Sequence, residues 1–402
     1  MCSRRTHRIA LWLLLCLWMA PCAFAAVLPT TERVVLYASV DQNGDSLTLS
    51  GKICEPEGVP AKGIVLLPHY TISADKDAPS NQGTKEPQYI PEEYIVIMPD
   101  YIGFGVTKDR IHPYLAGELT ARNCVDMLLS QALPDSLPVY VVGYSQGAAS
   151  AMWIIKLLEE QYADRVHLKQ GFVGSGPYDV AAMYDLNVAE NSTNLPLSIP
   201  MLIEGTKVAY NLDLQTDEYY TPAMKRCYRR HIADKKKSVT ALFFHMLNHK
   251  ATHWLTPQAL DKSHPQTSLL YSSFLRSSLV HYPLDSLTLS QKKNSKCCAK
   301  KNNRDYSKND NQEFSSKDNL GNYLKDTLLS TDTVCPAWQP RTPVYVFHST
   351  NDDVVPFFNS EHLRRCFVSA PFTYDFGKYG SHLKSSPAFF TRVRESLSSQ
   401  SE

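Results

Sequence analysis

The stretch Val141-Val142-Gly143-Tyr144-Ser145-Gln146-Gly147-Ala148-Ala149 decides the fold. An apolar run, Pro138 to Val142, leads into it, and an amphipathic run from Ala149 to Tyr162 follows. That order predicts strand, tight turn and helix, with Gly-x-Ser-x-Gly on the turn. A serine held in a sharp strand-to-helix turn presents its hydroxyl outward, and the crowded backbone excludes side chains two residues to either side. Gly143 and Gly147 occupy those two positions. The helix that starts after Ser145 aims free backbone N–H groups at any anion forming there.

Working outward, short apolar runs alternate with helical ones. Arg33 to Val40 and Ser46 to Cys54 flank a polar turn, Asp41 to Asp45, and predict a hairpin. Gly63 to Pro68 and Tyr94 to Met98 predict two further strands, and Gly117 to Leu133 a helix. After the serine strand and its helix, His167 to Val173 predicts another strand. The alternation stops from about Tyr178 to Gln339 and then returns. Thr342 to Phe347 and Phe372 to Phe376 predict strands, and Phe358 to Val368 and Pro387 to Leu397 predict helices. The expectation is an α/β protein with a mostly parallel sheet, helices on both faces and an antiparallel edge.

The chain has 402 residues and a formal net charge of +1, which points to neither nucleic acid nor an anionic membrane as an overall partner. Arg4, Arg5, His7 and Arg8 precede an apolar run, Ile9 to Met19, and then Ala23-Phe24-Ala25. This pattern predicts a secretory signal peptide cut after Ala25, and hence a periplasmic or extracellular protein. No later apolar run is long enough to span a membrane. Seven cysteines follow: Cys54, Cys124, Cys227, Cys297, Cys298, Cys335 and Cys366. Cys124 and Cys366 sit in helical apolar patterns and read as buried thiols. Cys227, Cys297, Cys298 and Cys335 lie in or near the interruption, where a disulfide is plausible in an exported protein. Residues 291–319, rich in Lys, Asn, Ser and Asp, read as an exposed loop that buries no core. The domain expectation is therefore a signal peptide at 1–25, a core at 26–180 and 341–402, and a cap or insertion at 181–340.

A serine hydroxyl needs an imidazole to take its proton, and the imidazole needs an acid to orient it. In this strand order the partners should follow as Ser, acid, His, each in a loop after a later strand. Asn351-Asp352-Asp353-Val354-Val355-Pro356 and Tyr379-Gly380-Ser381-His382 stand in those two places. The Gly-Tyr-Ser-Gln-Gly elbow, the Asp-x-x-Val-Pro loop and the late histidine resemble the α/β-hydrolase superfamily. The stretches Pro99 to Gly105 and Gly176-Pro177-Tyr178-Asp179 resemble its secretory lipase branch. The resemblance covers roughly residues 60–180 and 340–395. It implies an α/β-hydrolase fold with a large helical cap, and Ser145 as nucleophile, Asp352 as acid and His382 as base. Asp353 is the alternative acid.

Backbone N–H groups would hold the developing oxyanion. Gln146 supplies one, and the loop His69-Tyr70-Thr71, where the superfamily usually carries His-Gly, supplies the other through Tyr70 or Thr71. The activity implied is hydrolysis of a carboxylic ester, a lipid ester included, through an acyl-enzyme. No cofactor, metal, nucleic acid or membrane span is called for, and oligomeric state is not legible. A serine peptidase or an inactive binding protein on the same fold are the alternatives. Tyr184, Tyr210, Tyr219, Tyr220, Phe243 and Phe244 are candidates to line an acyl pocket or, equally, to form the insertion's own core. His245, His249 and His253 recur every four residues, which predicts one polar face of a cap helix rather than a metal site.

Overall fold

Period-two burial along the central strands is what creates a sheet covered on both faces. Ile64, Leu66, Val139 and Val141 point into one core, and Val65, Leu67, Tyr140, Val142 and Tyr144 into another. The computed structural model describes residues 30–283 and 333–399. The expected signal peptide at 1–25, the polar run 291–319, Cys297 and Cys298 lie outside the described residues. Among the described residues, eight strands form one sheet in the order β1-β2-β4-β3-β5-β6-β7-β8. They are β1 Thr30–Val40, β2 Ser46–Pro56, β3 Gly63–Leu66, β4 Tyr94–Pro99, β5 Val139–Tyr144, β6 Leu168–Gly174, β7 Val344–Ser349 and β8 Phe372–Gly377. The expected hairpin is present as β1 and β2, and β2 joins β4 antiparallel. Every pairing from β4 through β3 to β8 is parallel. This is the α/β-hydrolase architecture the sequence led us to expect.

Helices α1 (Gly117–Leu129) and α2 (Gln146–Gln161) pack on one face through Cys124, Val125, Met127, Ile154, Ile155 and Leu158. Helix α3 (Val180–Ala189), α4 (Ser198–Ala209) and α5 (Pro265–Ser277) belong to the stretch between β6 and β7. That stretch has its own core around Tyr219, Met224, Leu242, Trp254, Leu270 and Phe274. Helix α6 (Phe358–Cys366) returns to the first face. Helix α7 (His382–Ser399) covers the opposite one with Phe389, Phe390, Val393 and Leu397.

Three sequence expectations are corrected. Helix α7 starts five residues before Pro387 and carries that proline inside it, past the first turn where proline is tolerated; the start is fixed instead by contacts to His382 described below. Cys366 is not a free thiol but is bonded to Cys335, because the last turn of α6 lies against the segment that re-enters at Val334, whose carbonyl faces the Cys366 sulfur. His245, His249 and His253 do not share a helix: the chain is helical over Val239–Phe243, irregular after it, and helical again over Ala251–Trp254.

Candidate active site

Strand β5 ends at Tyr144, and Ser145 turns the chain into α2 with φ 56° and ψ −123°. That is a region few non-glycine residues occupy, and such strain persists only where the surroundings over-determine it. Here both flanking glycines are obligatory. A Cβ on Gly143 would lie 2.2 Å from the Gly147 carbonyl oxygen, and one on Gly147 would lie 2.2 Å from the Pro68 oxygen. The Ser145 N–H completes the sheet by donating to the Gly174 carbonyl, 2.8 Å away.

The loops after β5, β7 and β8 meet at the carboxyl edge of the sheet and bring three side chains together. His382 Nε2 lies 2.9 Å from Ser145 Oγ, and its Nδ1 lies 2.7 Å from Asp352 Oδ2. The Asp352 side chain is fully buried, and its other oxygen accepts the N–H groups of Val354, at 3.0 Å, and Val355, at 2.8 Å. Burial alone would raise this carboxyl. The charge and hydrogen bond of His382, then His348 and the Val354 N–H, outweigh it and hold Asp352 below the usual carboxylate range. Asp353 has a different job: its Oδ1 accepts the backbone N–H of His382 at 3.0 Å, at the first residue of α7.

Several supports were not singled out from sequence. The buried Tyr144 hydroxyl donates to the His382 carbonyl, 2.6 Å away, from beneath the nucleophile. His348 Nε2 stands 3.7 Å from Asp352 Oδ2, with its Nδ1 on Ser360 Oγ at 2.7 Å. Ser349 Oγ donates to the Gly380 carbonyl at 2.6 Å, tying the acid loop to the histidine loop. A position inside a motif marks Tyr144, but nothing in its residue type announces this role.

The first N–H of a helix has no intrahelical acceptor, and in α2 that N–H belongs to Gln146. Its side chain is clamped, with Nε2 2.8 Å from His112 Nε2. His112 Nδ1 faces the Ile102 carbonyl at 2.8 Å, so Nδ1 carries the proton and Nε2 accepts from Gln146. Burial pushes His112 down to about 3, which keeps the ring neutral. The Tyr70 N–H, expected as the second oxyanion donor, is committed elsewhere: it donates to Glu86 Oε2 at 3.3 Å. The reason is a wholly buried carboxyl beneath the loop that needs donors; Thr84 Oγ1 supplies the other, at 2.9 Å. Burial pushes Glu86 up to about 8.

Beside Ser145 lies a narrow cavity, partly open to solvent. Its walls are mostly aliphatic, with Val180, Met183, Val188, Ile199 and Leu202 from α3 and α4 and Val354 from the acid loop. Of the six aromatic candidates, Tyr184 alone lines it. Tyr219 and Tyr220 are buried in the inserted segment's own core. Tyr210 pairs with Ser277, at 2.9 Å, and with the Arg276 guanidinium. Phe243 and Phe244 face solvent.

No protein-family model matches the sequence, and no curated protein matches it. Solved structures do. A Legionella pneumophila protein provisionally described as a hydrolase superposes with a TM-score of 0.66 at 18% identity, over 99% of this chain and 95% of that one. The rice cell wall degrading esterase LipA from Xanthomonas oryzae gives 0.63 at 18% identity, over 94% and 93%. Candida antarctica lipase A gives 0.57 at 14% identity, over 88% and 73%. At these identities the likeness speaks to architecture, and together with the strand order it establishes that this chain has the α/β-hydrolase fold.

Proposed function

We propose that this protein is an exported serine hydrolase that cleaves carboxylic esters through an acyl-enzyme. The observation that carries the proposal is the relay from Ser145 through His382 to Asp352, opening into an aliphatic cavity. An ester carbonyl above Ser145 is attacked by Oγ while His382 Nε2 takes the hydroxyl proton. Asp352 keeps the ring oriented and stabilises the imidazolium. The Gln146 N–H and the positive end of α2 receive the oxyanion, and we assign the second donor to Thr71, whose Oγ1 meets the hydroxyl of the cavity residue Tyr114 at 2.9 Å. Collapse breaks the ester C–O bond, and the alcohol leaves with the proton from His382. Water then repeats the sequence on the acyl-serine. The cavity walls suit an alkyl acyl chain, since they offer area and few hydrogen bonds.

The Cys335–Cys366 bridge supports export, because disulfides persist mainly in oxidising compartments. The fold of LipA and lipase A supports an ester as the scissile group, although the same relay on the same fold can also cut amides. The test is labelling by a fluorophosphonate probe, followed by turnover of p-nitrophenyl butyrate and of an aminoacyl p-nitroanilide. Wild-type protein should label and prefer the ester, and Ser145→Ala should do neither. Absence of labelling in folded wild-type protein would replace the enzyme by a binding protein; preference for the amide would make it a peptidase.

A further inference from the structure

The overall charge of +1 hides a strong local excess. Between Glu218 and Asp261 the chain carries eight lysines and arginines and one acid, Asp234. Lys235 is turned inward, where its ammonium donates to the carbonyls of Gly103, Lys108 and Arg110. Arg226, Arg229, Arg230, Lys236 and Lys250 are exposed. In the middle of the same stretch three large apolar side chains stand in solvent: Phe243 is 46% exposed, Phe244 69% and Leu247 61%.

These features are adjacent in space. His231, next to Arg230, stacks on His245, next to Phe244, with ring centroids 4.1 Å apart. Phe243 in turn lies 6.3 Å from the His249 ring. The face also borders the cavity. His249 exchanges two hydrogen bonds with Thr193, its carbonyl accepting at 2.7 Å and its Nδ1 meeting the Thr193 carbonyl at 2.8 Å. Thr193, Asn194 and Ala251 line the cavity beside Ser145.

We propose that this face docks on an anionic lipid surface, with Phe243, Phe244 and Leu247 as the inserted wedge and the cations of the same face on the headgroups. Exposed aromatic and aliphatic tips that share a face with Lys and Arg gain by apolar burial and by charge together. Each cation near an anionic bilayer contributes about 1 kcal/mol. The charge also selects the occupant: a second copy would set two cationic faces against each other, whereas an anionic bilayer matches them. Since the rest of the chain is net negative, the field favours turning this face toward the surface. Docking then brings the rim at Thr193 and Asn194 to the headgroup level, where an ester-bearing chain can leave the bilayer for the cavity. The delivery rests on the ester hydrolase reading; the binding does not.

The test uses the full chain with Ser145→Ala, so that vesicles are not consumed. Sedimentation is compared with vesicles of phosphatidylcholine alone and of phosphatidylcholine with an equal part of phosphatidylglycerol. The anionic vesicles should bind at least about a hundredfold more tightly. Neutralising Arg226, Arg229 and Arg230 to Gln should remove roughly that hundredfold, and a Phe243→Ser, Phe244→Ser, Leu247→Ser triple should weaken binding about as much. Melting curves certify that both variants fold. With Ser145 restored, both triples should hydrolyse p-nitrophenyl butyrate within about twofold of wild type, because neither touches the relay; this separates failure of docking from failure of the enzyme reading. Equal binding to both vesicles, or indifference to the Phe and Leu changes, would overturn the proposal. So would a dimer in sedimentation velocity that the serine triple dissolves without any vesicle binding.

Discussion

Asp352→Asn should cost about four decades of ester turnover, and Asp353→Ala about one decade or less. The difference follows from which atoms each carboxylate holds. Asp352 Oδ1 accepts two backbone N–H groups, from Val354 and Val355, and Oδ2 accepts from His382 Nδ1. An asparagine there must keep its carbonyl oxygen on the two backbone donors, which places its NH2 against Nδ1. Two donors cannot pair, so the ring is driven to the tautomer with Nδ1 bare and the proton on Nε2, facing Ser145 Oγ. In that state His382 cannot take the serine proton. The comparable tautomer error in a serine protease costs about 10⁴-fold, which is about 5.5 kcal/mol.

Asp353 holds only the His382 backbone N–H, from a solvent-exposed position. Losing that bond is worth about 1 kcal/mol, a factor below ten if all of it fell on the barrier. Tyr144 still holds the carbonyl of the same residue. The assay is kcat/KM on p-nitrophenyl butyrate with melting curves for both variants. An Asp353→Ala loss as large as that of Asp352→Asn would refute the reasoning and move the acid by one residue.

Three further outcomes are expected. Glu86→Gln should flatten the pH dependence of stability: because burial raises Glu86 from 4.5 to about 8 in the fold, the unfolded chain loses this proton first as pH rises. Stability therefore falls by up to about 1.4 kcal/mol per pH unit between about pH 5 and 8, and the variant, neutral throughout, should melt above wild type at pH 8 and with it below pH 4.5; parallel melts at the two pH values check this. Met183→Trp should fill the cavity wall on α3, lowering kcat/KM for a long-chain p-nitrophenyl ester at least about tenfold while the acetate changes little. Asp179→Ala should lower stability in urea by about 3–5 kcal/mol, because it leaves the buried His281 and His362 rings without their shared acceptor; a loss under about 1 kcal/mol would show that acceptor to be dispensable.

Legibility followed chain locality. The strands, the elbow and the order of serine, acid and histidine could be read because each depends on contiguous patterns: period two, period 3.6 and a turn whose glycines have steric causes. What failed depended on contacts between distant segments. The N–H of Tyr70 could not be known to point at Glu86, sixteen residues on, since nothing local marks that glutamate as buried. Aromatic content drew attention to Phe243 and Phe244, yet aliphatic residues of α3 and α4 make the cavity wall. The start of α7 was misplaced because proline is a strong local signal for a first turn, while the true start is fixed from outside by Asp353 and Tyr144. The three histidines matched a helical period in a stretch that tertiary packing breaks into two short helices.

The inserted segment looks in sequence like an interruption, but its two ends are what make the site. Asp179, wholly buried, begins it by accepting the Ala182 N–H at the start of α3. The same carboxylate takes His281 Nδ1 and the Tyr282 N–H from the segment's far side, and His362 Nδ1 from α6. Burial would raise this carboxyl, but the two histidines hold it below the usual range. His281 then bridges to Val334 through paired 2.8 Å backbone bonds, and Cys335 is bonded to Cys366 of α6. Both boundaries therefore converge on α6, the helix that follows the acid loop. Helices α3 and α4 supply the cavity wall while β5, β7 and β8 carry the relay, so wall and relay keep their distance only if these ties hold. Loop-closure cost rises slowly with length, which lets the chain between the ties vary without moving Ser145, Asp352 or His382.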